Sequence, residues 1–142
     1  MSSAVALAML KRDDRWLLQL RDDISTIIAP GQWGLFGGHL EPGETPAEAV
    51  QRELEEEIAW RPGPQLQPWF IDTRGNRTVH VFRGALLRPL DALQLQEGQD
   101  WTLASLAELR SGSIWSERLQ ENRPIAPGLE IVVQRLLTEN SQ

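Results

Sequence analysis

The order of patterns along this chain predicts an α/β fold, a mixed β-sheet between helical layers. Three observations carry that expectation. Apolar runs of strand length open the chain and recur in its middle. A helix with a well-marked start, at Pro46, lies between them. An amphipathic helix closes the sequence, and strands interleaved with helices pack as layers. The chain has 142 residues, 41% of them apolar and 24% charged, which suits one domain with a real core. Residues 1–142 are therefore read as a single domain.

The elements follow in order. SAVALAMLKR reads as a buried strand and WLLQLR as its partner, with the turn at Asp13-Asp14. A loop with Pro30 and Gly31 leads to WGLFGG, one short strand. The helix comes next, and Pro62, Gly63 and Pro64 break the chain after it. LQPWFIDT and RTVHVFRGALLR form a hairpin around Arg74-Gly75-Asn76. A polar loop surrounds Glu97-Gly98, and LASLAELRSG suggests a short helix ending near Gly112. In PGLEIVVQRLL, the residues Leu129, Val132, Val133 and Leu136 fall at helical spacing.

The most informative segment is residues 38–60, GHLEPGETPAEAVQRELEEEIAW. Thr45 is an N-cap, Pro46 stands at the first helical position, and Glu48 completes a capping box. Ala47, Val50, Leu54 and Ile58 form an apolar stripe. Successive residues advance about 100°, so Glu53, Glu56 and Glu57 point to one side, away from that stripe. Like charges so placed repel one another, and a hard cation such as Mg²⁺ or Mn²⁺ would offset the repulsion. Glu44 precedes the cap and can fold back towards the same acids. Arg52 can hold a neighbouring carboxylate through charged hydrogen bonds. An acidic helix taken alone is usually a solvated face, and the spacing of the whole segment is what argues otherwise.

The segment resembles the Nudix hydrolase box, G-x5-E-x7-R-E-U-x-E-E-x-G-U, where U is bulky and apolar. Gly38, Glu44, Arg52, Glu53, Leu54, Glu56 and Glu57 all fall in register. Two positions depart: Ala59 stands where the box has glycine, and Trp60 takes the last apolar place. Ala59 is expected to change the loop geometry at the helix end, since a left-handed residue there is easiest for glycine. The resemblance implies a Nudix-type α/β/α sandwich. It implies a metal site of Glu53, Glu56, Glu57, Glu44 and Gly38, with Arg52 as an orienting residue and Mg²⁺ or Mn²⁺ as cofactor. The activity implied is hydrolysis of the pyrophosphate bond of a nucleoside diphosphate linked to a further group. A non-catalytic nucleotide-binding module is the alternative, and the retained box acids favour the enzyme. An isomerase of the same fold would be expected to use a cysteine, and the chain has none.

Catalysis further needs a base to take a proton from water. Glu53 or Glu56 serves within the box. Family members also place this base on a distant loop, where Glu97 is the candidate, against the plain reading of a solvated loop acid. Arg21, His39 and Trp33 are candidates for substrate binding, by charge, by hydrogen bonding and by base stacking respectively. Core packing is the better reading of Phe36, and Arg74, Arg77 and His80 read as solvent-facing. Six tryptophans with no tyrosine is an imbalance that the sequence does not explain.

The net charge of −6 argues against binding long nucleic acid, while leaving room for a small phosphorylated substrate held through a divalent ion. Without cysteine there is neither disulfide nor thiol catalysis. No apolar run approaches a membrane span, and the N-terminus lacks the layout of a signal peptide, so a cytoplasmic protein is expected. The resemblance leaves monomer and homodimer both open.

Overall fold

A computed structural model describes residues 3–24 and 29–140. The fold is α/β, with a mixed sheet and, among the described residues, three helices. The chain forms two compact units, Met1–Arg12 with Phe36–Gln96, and Asp13–Leu35 with Glu97–Gln142.

In the first unit, strand β1 (Ser3–Arg12) pairs antiparallel with β4 (Phe36–His39) and parallel with β6 (Arg77–Ala85). Strand β5 (Gln67–Asp72) pairs antiparallel with β6, through a bulge between Pro68 and Phe70. Helix α1 (Pro46–Ile58) packs on β1 and β4. Side chains alternate across a sheet, so Ala4, Ala6 and Ala8 of β1 share the face on which Gly38 pairs with Ala6. These small residues leave room for α1, which buries Ala49, Val50, Leu54 and Ile58. Two glutamines tie the connections in place. Gln51 exchanges two hydrogen bonds with the Gly63 backbone, at 2.8 and 3.0 Å. Gln65 does the same with Ala85, at 3.0 and 2.9 Å.

In the second unit, β2 (Arg15–Leu20) pairs antiparallel with β3 (Trp33–Gly34) and with β7 (Asp100–Ser105). A hairpin of β8 (Ser113–Ser116) and β9 (Glu121–Pro124) follows the short helix α2 (Leu106–Ser111). Helix α3 (Pro127–Asn140) buries Leu129, Val132, Val133 and Leu136, as the spacing predicts. No helix among the described residues is long and apolar enough to cross a membrane.

Several expectations need correction. WGLFGG is two strands, β3 and β4, separated at Leu35. LASLAELRSG is not helical throughout: Leu103 to Ser105 belong to β7. Ser105 then caps α2 in a capping box with Glu108, a Ser-x-x-Glu signal present in the sequence and missed. The β8–β9 hairpin was not anticipated. Along α1, Ala47 is exposed and Ala49 takes its place in the core, while Glu57 is buried beside the apolar stripe instead of opposite it. Of the six tryptophans, Trp16, Trp33 and Trp60 are buried, Trp69 and Trp101 are half-buried and Trp115 is exposed.

At the helix end Ala59 takes the backbone conformation that is easiest for glycine. It adopts the left-handed conformation itself, φ 59° and ψ 36°, and its N–H donates to the Glu55 carbonyl. Its methyl group is exposed, so the strain is not offset by packing. Ala59→Gly is therefore expected to stabilise the protein modestly, by about 0.5–1 kcal/mol, because relieved strain outweighs the added freedom of the unfolded chain. An unchanged or lower urea midpoint would contradict this.

Candidate active site

The site is built around α1 and the turn before it, all within the first unit. The capping box of Thr45 and Glu48 fixes where the helix begins. Before it, Glu41 N–H donates to Glu44 Oε1 at 2.9 Å and Glu44 N–H to the Glu41 carbonyl at 3.0 Å. Glu44 is thereby folded back over the helix, as its position in the sequence suggested. Arg52, one-fifth exposed, meets it with two parallel hydrogen bonds, Nε to Oε2 at 2.7 Å and Nη2 to Oε1 at 2.9 Å. This two-pronged geometry is the strong form of a charged pair.

The same guanidinium reaches further. Its Nη1 lies 3.1 Å from Glu53 Oε1 and 3.3 Å from both Glu56 oxygens, and Nη2 donates to the His39 carbonyl at 3.1 Å. Glu41 stands 3.7 Å away. Arg52 thus provides in this structure the positive charge that the clustered acids require. The Glu44 carboxyl is held down at about 2, first by the Arg52 hydrogen bonds and then by the Glu41 backbone N–H. The Arg52 guanidinium is pushed up, chiefly by Glu44. A carboxyl lowered from 4.5 to about 2 contributes stability above its unfolded value and loses it as pH falls towards 2.

Glu57 is placed differently. It is buried, and its Oε1 accepts the Gly37 N–H at 2.8 Å. The three helix acids therefore do not form one equivalent set: Glu53 and Glu56 gather on Arg52, while Glu57 anchors to β4. Gly38 lies beneath Glu53. A Cβ at residue 38 would fall 2.6 to 2.9 Å from the Glu53 carboxylate atoms. Those atoms end a flexible side chain and can move aside, so Gly38→Ala is expected to fold normally yet displace Glu53. Hydrolysis should fall by about ten- to a hundredfold, a range typical of disturbing the support of metal ligands. Wild-type turnover in that variant would remove the close approach from the functional account.

The residues fit a divalent cation by chemistry: hard carboxylate oxygens from several positions, beside a glycine whose missing Cβ leaves them room. Among the described residues, no three acidic or histidine side chains are already arranged to hold an ion. The guanidinium among Glu44, Glu53 and Glu56 accounts for that arrangement physically, and a cation would take over part of its role.

The remaining candidates are scattered. Trp33 is fully buried and its indole N–H donates to the Ile114 carbonyl at 2.9 Å, so it is a core anchor and not a stacking platform. Phe36 is equally buried, as read from the sequence. Arg21 follows β2, half-buried, with its aliphatic carbons over Gly34. Glu97 is exposed and its carbonyl accepts from Gln19 Nε2 at 3.1 Å. His39 ends β4, exposed, and serves Arg52 through its carbonyl. Three contributors were missed. Gly37 offers an N–H to Glu57, Glu41 stabilises the turn, and Gln96 holds the far end of α1. A second glycine beside Gly38 was the signal available for the first of these.

An α/β fold carrying this turn, capped helix and acid cluster defines the Nudix class. The chain belongs to the Nudix family, whose NUDIX domain model matches residues 1–124. Nucleoside triphosphatase NudI of Escherichia coli O1:K1 is 40% identical over 71 residues, 46% of this chain and 46% of that protein. The matched region thus spans less than half the length of this relative. Among solved structures, the MutT protein of Methanosarcina mazei Go1 superposes with a TM-score of 0.72 at 20% identity, covering 99% of this chain and 96% of that one. The NUDIX domain of Shewanella oneidensis NrtR, complexed with ADP ribose, gives 0.70 at 21% identity, covering 98% and 88%. At such identities the likeness concerns the fold.

Proposed function

We infer that this protein is a metal-dependent Nudix pyrophosphohydrolase that cleaves a nucleoside diphosphate linked to a further group, with Mg²⁺ or Mn²⁺ as cofactor. The observation that carries the reading is the gathering of Glu44, Glu53 and Glu56 around Arg52 above the bare Gly38. Nucleoside triphosphates are the first substrates to test, supported by the partial likeness to NudI. The reading treats residues 1–142 as one Nudix domain, supported by a family model over residues 1–124 that runs through segments of both compact units, and keeps the cytoplasmic location expected from the sequence.

Glu53, Glu56, Glu57 and Glu44 would hold the cation. When bound, it would neutralise pyrophosphate oxygens, make water more acidic and stabilise the leaving phosphate. The chain's own residues do the rest. Arg52 keeps Glu44 ionised and directs Glu53 and Glu56 to one side. The Gly37 N–H fixes the Glu57 carboxylate. A carboxylate oxygen of Glu53 or Glu56 accepts the proton of the attacking water; Glu97 stays a candidate on sequence grounds.

The test is product release from a panel of nucleoside triphosphates, nucleotide sugars, ADP-ribose and dinucleotides with Mg²⁺ or Mn²⁺. Glu56→Gln and Glu57→Gln serve as controls, and Glu97→Gln tests the distant base. Turnover on one class that disappears in the controls supports the enzyme. Tight nucleotide binding with no turnover would instead favour the binding module.

A further inference from the structure

The last turn of α1 combines features that oppose its stability. Glu55, Glu56 and Glu57 stand in succession where the helix dipole is negative, and the last turn carries no basic residue. The residue after the helix is left-handed without being glycine. The Glu55 carbonyl already accepts from the Ala59 N–H, and the carbonyls after it find donors from a distant segment. Gln96 Nε2 donates to the Glu56 carbonyl at 2.7 Å and to the Glu55 carbonyl at 3.2 Å. Gln96 N–H donates to the Glu57 carbonyl at 2.8 Å, and Gln94 N–H to that of Ile58 at 3.2 Å.

We propose that Gln96 is a positioning residue for the cation site: it clamps the final turn of α1 from outside and so sets where the Glu56 and Glu57 carboxylates point. The inference rests on the metal-dependent reading above. A helix end open at its carbonyls frays within its last turn, and that turn carries both acids. Glu57 has a second restraint in Gly37. Among the described residues the Glu56 carboxylate has only the longer 3.3 Å contacts to Arg52 and is half-exposed, so its direction depends most on the backbone beneath it. Gln96 is itself exposed, and removing its amide opens no cavity in the core. It touches neither the reacting atoms nor the cation; its influence passes through the helix backbone.

The test uses the full chain without substrate, following Mn²⁺ binding by the electron-spin-resonance signal of the free ion. Gln96→Met keeps length and neutrality while losing the side-chain donor to the Glu55 and Glu56 carbonyls, Gln96→Ala loses both length and that donor, and each keeps the backbone N–H on Glu57. Both are expected to bind Mn²⁺ roughly tenfold more weakly at 25 °C, the low end of what loss of a supporting group costs. Amide exchange at the end of α1 should accelerate in parallel. A purely structural role would lower the melting temperature and leave the Mn²⁺ affinity of the folded protein unchanged, and that result overturns the proposal. So does a Gln96→Met variant that binds normally while Gln96→Ala does not, because side-chain length would then be what matters. Glu56→Gln is the control. If it binds Mn²⁺ as tightly as the parent, the site reading itself fails and the proposal falls with it. If it loses binding while both Gln96 variants keep it, only the proposal falls.

Discussion

Glu53→Gln is expected to reduce hydrolysis by about a thousandfold or more, with the fold intact. The substitution keeps the shape of the side chain and removes one negative charge from the centre of the acid cluster. Glu53 is mostly covered, lies against Gly38 and contacts Arg52 at 3.1 Å, so its carboxylate has little solvent to replace what it loses. Charge stabilisation by a metal is worth several kcal/mol in the transition state, and about 4 kcal/mol corresponds to a thousandfold in rate. Arg52 retains its two bonds to Glu44, the stronger part of its network, and stability should change by less than about 1 kcal/mol. Steady-state kinetics beside a thermal melt checks both halves. A rate within tenfold of the parent would remove Glu53 from the mechanism.

Gly37→Ala should do the opposite: break the fold before it breaks the chemistry. Gly37 sits at φ +143°, where L side chains rarely go. A Cβ there would clash severely with the Ala6 carbonyl oxygen and lie 2.8 Å from Leu7 Cα and 3.0 Å from the Ala6 carbonyl carbon. These are backbone atoms of β1, the strand that pairs with both β4 and β6, and they cannot swing away. The cost should be about 3 kcal/mol or more, combining strain with the lost β1–β4 pairing. A lowered denaturation midpoint, or insoluble expression, is the expected result. Its neighbour Gly38 carries the contrasting prediction, because there the obstacle is a mobile carboxylate. Two adjacent glycines thus separate what holds the protein together from what equips it to act. A Gly37→Ala protein as stable as the parent would show that β4 can shift away from β1.

Much of the site was legible because its logic is local. The capping box at Thr45, the Pro46 start and the return of Glu44 over the helix all follow from residues no more than eight positions apart. The strands around it were legible for the same reason, since a continuous apolar run marks β1 and a turn at Arg74-Gly75-Asn76 joins the two runs of the β5–β6 hairpin. What escaped depends on residues distant in sequence. Helical spacing put Glu57 with Glu53 and Glu56, yet its partner is a backbone N–H twenty residues earlier. Trp33 offered an aromatic face, and only the tertiary fold buries it on the Ile114 carbonyl. Gln96 looked like loop polarity and is bonded to a helix forty residues away. At α2 the failure was one of reading, because the Ser105–Glu108 box is as local as that of Thr45.

The glutamines of the first unit carry one more consequence. Gln51, Gln65 and Gln96 each bond to main-chain atoms through a side chain that bears no charge at any ordinary pH. The carboxylates of Glu44, Glu53 and Glu56 are held by the charge of Arg52, and ions can loosen that hold. Anchorage and reactivity are therefore written in two different interactions. A highly charged visitor can arrive, redistribute the acids and leave again, while the fastenings of the helix and its flanking turns are insensitive to the change in ionic surroundings.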